Sequence, residues 1–121
     1  MVAVLLDSNI LVDHLKGYPQ ATAEIGRYRR PAISIVTWIE VMVGAEDRHG
    51  DHTRDFLGGF EVIGIDGTVA ERAVSLRKAR RLKLPDALIW ATAQATGRLL
   101  VTRNTKDFPA DEPGVRQPYQ L

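Results

Sequence analysis

A chain of 121 residues, 45% apolar and 26% charged, has the size and composition of one globular domain and excludes a disordered polyelectrolyte. Sixteen Lys and Arg against fifteen Asp and Glu leave a formal charge of +1, so bulk charge announces no polyanionic partner. The absence of cysteine excludes disulfides, thiolate metal sites and cysteine nucleophiles, while the lack of a basic leader or a membrane-length apolar run predicts a soluble, cytoplasmic protein.

Residues 2–6, Val-Ala-Val-Leu-Leu, read as a strand buried on both faces. Asp7 or Ser8 can cap a helix over Asn9–Lys16, which Gly17-Tyr18-Pro19 ends. A short amphipathic helix over 20–29 is broken by Pro31, and Ala32–Ile35 is a short strand. Val36–Ala45 is an apolar helix with a solvated charged tail, Glu46-Asp47-Arg48, and residues 51–58 form another helix. Phe60–Ile65 is a strand closed by a turn at Asp66-Gly67. Thr68–Leu82 is a helix with Val69, Ala73 and Leu76 at helical spacing and a basic run, Arg77 to Lys83, at its negative end. Leu84–Thr96 is a helix with Pro85 in its first turn and Gly97 just past its end. Arg98–Thr102 is a strand, and the Pro-rich remainder is loop with an edge strand near Val115. Strands alternating with helices predict an α/β sandwich with a mainly parallel sheet in a single domain, 1–121.

Four acids recur at the punctuation of this pattern. Asp86 heads an apolar stripe running through Ile89, Trp90 and Ala93; a first-turn acid favoured by the helix dipole is its ordinary reading. Glu40 lies among Val36, Thr37, Val43 and Gly44, and Thr37-x-x-Glu40 also fits a capping box. Asp7 and Asp107 each follow a strand, where turn chemistry alone would explain them. In an alternating sheet, strand C-termini and helix N-termini share one edge, so all four acids are expected at one rim. Two bare carboxylates about 4 Å apart repel by about 4 kcal/mol at an effective dielectric of about 20. Four together call for protonation or a divalent cation. Oxygen ligands, with His14, His49 and His52 far away in sequence, favour Mg²⁺ or Mn²⁺ over zinc. Such a site suits phosphodiester hydrolysis by metal-activated water, with two basic runs, Arg27, Arg29 and Arg30 and then residues 77–83, flanking a polyanion and Arg103 contacting the scissile phosphate.

The blocks Leu6-Asp7-Ser8-Asn9, Ser34-x-x-Thr37-x-x-Glu40, Leu84-Pro85-Asp86-Ala87-Leu88-Ile89 and Leu100-Val101-Thr102-Arg103-Asn104-Thr105-Lys106-Asp107-Phe108 occur in an order that resembles the PIN-domain ribonucleases, more narrowly the VapC-type toxins of bacterial toxin–antitoxin pairs. The resemblance runs from residue 2 to about 108 and implies a three-layer α/β/α sandwich, Mg²⁺- or Mn²⁺-dependent endonucleolytic cleavage of RNA, a homodimer, and a small antitoxin that blocks the site. It carries the acidic quartet onto Asp7, Glu40, Asp86 and Asp107, with Asp7 and Asp86 as direct metal ligands. Asn9, Thr37, Thr102 and Asn104 fall at supporting polar positions.

Two other functions compete. A phosphatase or phosphotransferase could use Asp7 as nucleophile, but it needs a second acid where Asn9 stands. A non-catalytic nucleic-acid-binding or assembly domain has no reason to gather carboxylates on a face meant for a polyanion.

Overall fold

The computed structural model describes residues 2–45 and 49–121, so the expected charged tail at 46–48 lies outside the described residues. In chain order the elements are β1 (Val4–Leu6), α1 (Ser8–Leu15), α2 (Pro19–Gly26), β2 (Ala32–Ser34), α3 (Ile35–Gly44), α4 (Gly50–Leu57), β3 (Glu61–Ile63), α5 (Gly67–Ala79), α6 (Leu84–Ala95), β4 (Leu99–Val101) and β5 (Val115–Arg116). Each expected strand and helix is present, and the strands are shorter than their apolar runs. Val2 and Ala3 are exposed ahead of β1, and Gly64 and Ile65 are exposed beyond β3, so these ends gain little from burial.

All five strands pair in parallel, in the order β3-β2-β1-β4-β5. The sheet is wholly parallel rather than mainly so. Its side chains alternate between two cores. Leu5, Ala32 and Leu100 face α5 and α6, packing with Val69, Ala73, Ile89 and Trp90. Val4, Leu6, Ile33 and Val101 face the other layer, with Ile10, Leu11, Val41 and Leu57. Burying each such side chain is worth roughly 1.5–3 kcal/mol, so both faces of every central strand hold the three layers together. β1 is fully buried in the middle of the sheet.

Local chemistry sets the boundaries. Asp66, expected in a turn, caps α5 by accepting from the Val69 amide at 2.9 Å. α5 stops at Ala79, three residues earlier than its periodicity suggested, because Arg80 adopts an extended backbone. The Arg80 guanidinium then lies 4.7 Å from the Trp90 ring centre and pairs with Glu112. Gly17 (φ 91°) and Gly97 (φ 65°) end α1 and α6 in the left-handed region, where a Cβ would be strained.

The strand order creates one switch point. The chain winds outward from β1 through β2 to β3, then returns to place β4 on the other side of β1. The crevice beyond the carboxyl ends of β1 and β4 is where such sheets bind ligands. Asp7 and Thr102 are the first residues past those two strands.

Candidate active site

Asp7 is 5% exposed, and its environment is built by both neighbours of the switch point. Its backbone amide donates to the Val101 carbonyl at 2.9 Å, continuing the β1–β4 ladder by one bond. Its carboxylate accepts from the Ser8 amide at 2.7 Å, which makes Asp7 the cap of α1. The Thr102 hydroxyl donates to it at 2.7 Å and the Asn9 amide group at 3.2 Å. Asn9 also donates to the Thr102 hydroxyl at 3.3 Å and accepts from the Arg103 backbone at 3.2 Å. Burial is the main influence on this carboxyl and pushes its pKa up to about 6; the Thr102 and Ser8 donors pull it down, and the charges of Asp86 and Glu40 push it up again.

Asp86 is half-buried in the first turn of α6. No described residue donates a hydrogen bond to its carboxylate. Burial raises its pKa, Asp107 and Glu40 raise it further, and Lys83 opposes them. Asp107 is held by Asn104, which donates to its carboxylate at 3.0 Å and accepts from its amide at 3.3 Å. The next residue, Phe108, is fully buried and meets Trp90 edge-to-face at 5.5 Å. Trp90 stands one turn after Asp86 on α6, so this aromatic contact draws the Asp107 segment towards Asp86.

Glu40 departs from its sequence reading in two respects. The capping box does not form: Ser34 caps α3, accepting from the Val36 amide at 3.0 Å. Thr37 and Glu40 therefore lie within the helix, and Glu40 is exposed rather than sunk in an apolar surround. Its carboxylate instead accepts from the Ser8 hydroxyl at 2.6 Å. Buried Thr37 lies 3.2 Å from the same hydroxyl. Ser8 thus joins the head of α1 to α3, a link that separation by 32 positions hid from sequence inspection.

Two expectations about cations change. Arg103 directs Nε and Nη2 onto the two oxygens of Asp13, at 2.8 and 3.0 Å, so its fork is occupied by a carboxylate rather than presented to a phosphate. Arg29 and Arg30 line a cavity with Val2, Ala3 and Val4, at the amino end of β1 and thus at the sheet edge opposite Asp7. The run of residues 77–83 approaches the acids through Lys83, whose charge lowers the pKa of Asp86. In sequence, His49 and His52 stand apart from the acids; the fold sets them with Lys16 and Glu40 around a groove of about 710 Å³.

Among the described residues, no three acids or histidines converge into a ready-made metal cage. The donor chemistry nevertheless suits a hard divalent cation: the nearby groups are oxygen ligands, Asp7 is disfavoured as a bare charge by burial and by Asp86 and Glu40, and Asp86 by burial and by Asp107 and Glu40. A cation among them would relieve both costs.

Comparison with known proteins agrees with this architecture. The 121 residues resemble ribonuclease VapC10 of Mycobacterium tuberculosis, with 31% identity over 117 residues covering 90% of this chain and 88% of the relative. They also resemble the tRNA(fMet)-specific endonuclease VapC of Shigella flexneri, with 28% identity over 120 residues covering 89% of this chain and 91% of the relative. Among solved structures, a toxin–antitoxin complex from Klebsiella pneumoniae superposes with a TM-score of 0.92 at 47% identity, covering 98% of this chain and all of its counterpart. The PIN-domain profile matches residues 4–110, a span that runs from β1 past Asp107, and the chain belongs to the PIN-domain family.

Proposed function

We propose that the chain is a metal-dependent endoribonuclease, the toxin of a toxin–antitoxin pair, with residues 1–121 acting as one nuclease domain. The observation that carries this reading is Asp7: a buried carboxylate at the switch point, pushed up to about 6 by burial and by the neighbouring acids Asp86 and Glu40. The relatives named as ribonucleases and the similarity to a toxin–antitoxin complex support the substrate class and the partner. Asp7 and Asp86 would hold Mg²⁺ or Mn²⁺, with Glu40 and Asp107 completing the acidic set. When bound, such a cation lowers the pKa of a water and offsets charge on phosphate oxygens. The chain's own work is positional. Thr102, Ser8 and Asn9 fix the Asp7 carboxylate, Asn104 fixes Asp107, and the Ser8 hydroxyl fixes Glu40. Asn9, placed as a donor to Asp7 and Thr102, supplies no second acid for phosphoaspartate chemistry.

A small antitoxin is the proposed partner and a homodimer the proposed assembly. Ile39 and Val43, 49% and 80% exposed on α3, offer apolar surface for such contacts. No helix among the described residues is long and apolar enough to cross a membrane, and the cytoplasm is the proposed compartment. The test is cleavage of RNA by purified protein with Mg²⁺ or Mn²⁺, abolished by EDTA, with sequencing of fragment ends to identify the target. Cleavage that persists in excess EDTA would reject the mechanism.

A further inference from the structure

Asp13 lies on α1 one turn after Asn9, and it is 2% exposed although no catalytic reading requires it. Three donors from distant parts of the chain converge on it. Arg103 grips both oxygens, and the Tyr119 hydroxyl donates at 2.7 Å. Arg103 sits between Thr102, which donates to Asp7, and Asn104, which donates to Asp107. Its own backbone amide is bonded to Asn9, and the Asn104 amide donates to the Thr102 hydroxyl at 3.0 Å. The segment that orients two of the four acids is therefore fastened to α1 at two points, Asn9 and Asp13.

We propose that Asp13 is a positioning residue, which clamps Arg103 and Tyr119 so that Thr102 and Asn104 present Asp7 and Asp107 in working geometry. This rests on the nuclease reading of the acids. It also makes the chain after β5 part of the active-site support, since Tyr119 reaches the same carboxylate from the tail. Bidentate pairing fixes orientation as well as distance, so Lys at position 103 would restore the charge but only part of the alignment.

The test compares Asp13→Asn, Asp13→Ala, Arg103→Gln, Arg103→Lys and Tyr119→Phe with the unaltered chain. Two readouts are taken: steady-state RNA cleavage with Mn²⁺, and amide hydrogen exchange at Arg103 and Asn104 in metal-free protein. Loss of the clamp is expected to lower kcat about tenfold with KM within about twofold, the scale seen when support behind a ligand is removed. Exchange at the two amides should quicken about tenfold, Arg103→Lys should recover part of both effects, and Tyr119→Phe should show a smaller change of the same kind. A raised KM with unchanged kcat in Arg103→Gln would make Arg103 a phosphate contact and overturn the proposal. Unchanged exchange and kcat in Asp13→Asn and Tyr119→Phe would also overturn it, and these mild variants serve if Asp13→Ala does not fold. If the unaltered chain cleaves no RNA, the nuclease reading fails separately, and the exchange data alone decide whether the clamp exists.

Discussion

Asp7 and Asp13 stand at the two ends of the same short helix, both removed from solvent, yet their environments drive them in opposite directions. At both, burial is the largest influence and favours the neutral form. At Asp13 the Arg103 fork and the Tyr119 hydroxyl more than offset it, and the pKa falls below the usual carboxylate range. At Asp7 the donors are neutral and the nearby charges are other acids, so the pKa stays high at about 6. A satisfied buried acid is structural material. One held only by neutral donors and faced by other acids keeps a demand for positive charge, and that difference separates a fastening point from a candidate metal ligand.

The sharpest way to break the comparison is to remove the charges. Asp7→Asn and Asp86→Asn should each lower kcat by roughly 10³ or more, the upper scale of losing a preorganised charge-stabilising group. A fully active Asp86→Asn, measured on the same RNA, would refute its place in the site. Stability should then move with opposite signs. Asp7→Asn is expected to stabilise metal-free protein at pH 7 by up to about 3 kcal/mol, because the native carboxyl, at about 6 instead of 3.8, is costly to ionise. Asp13→Ala should destabilise it by about 1–3 kcal/mol, leaving the Arg103 fork and the Tyr119 hydroxyl without an acceptor. Urea unfolding of the three proteins measures both.

The pH dependence follows with the same signs. Between about 4 and 6 the native state holds a proton on Asp7 that the unfolded chain has lost, so metal-free stability should fall as pH rises through that window. Asp13 contributes the reverse arm: its stabilisation is present above the unfolded value of 3.8 and is lost as pH falls towards its lower native value. Asp7→Asn should flatten the first arm and leave the second. Added Mg²⁺ should raise the melting temperature at pH 7 more than at pH 5, since ligand that binds only the folded state stabilises it and protons compete for Asp7. The smallest effect belongs to exposed Glu40: Glu40→Gln weakens a charge-assisted bond from Ser8 into a neutral one, about 1 kcal/mol or fivefold in kcat.

Much of this geometry was legible because position in an α/β pattern is itself information. Asp7 and Asp107 follow strands and Asp86 opens a helix, so the common rim could be read without coordinates. Glu40 reached the right neighbourhood for a reason the sequence misstates. The pattern Thr37-x-x-Glu40 suggests a capping box that opens a helix, but Ser34 is the cap and a Ser8 hydroxyl from another helix fixes Glu40. The neighbours Thr102 and Asn104 suggest a phosphate for Arg103, whereas its guanidinium pairs with Asp13, 90 positions away. Asp13 and Glu24 carry a subtler signal in the sequence. Each falls three residues after a buried apolar residue, Ile10 and Ala21, on the inward face of its helix. An acid there implies an arginine from elsewhere, and the structure supplies Arg103 and Arg116.

The hydrogen bond from Thr102 to Asp7 joins positions 95 apart, and it governs when the site can exist during synthesis. A growing chain makes β1 and α1 first, but Asp7 then has no β4 beside it and no hydroxyl to hold its carboxylate. Helix-local contacts form early, and pairing across so long a loop comes last. The acids acquire their arrangement only after almost the whole sequence has been translated. Fragments released before β4 hold Asp7, Glu40 and Asp86 but lack Thr102 and Asp107, so they carry part of the acidic set without its geometry, and a broken message for this protein is expected to yield an inert product.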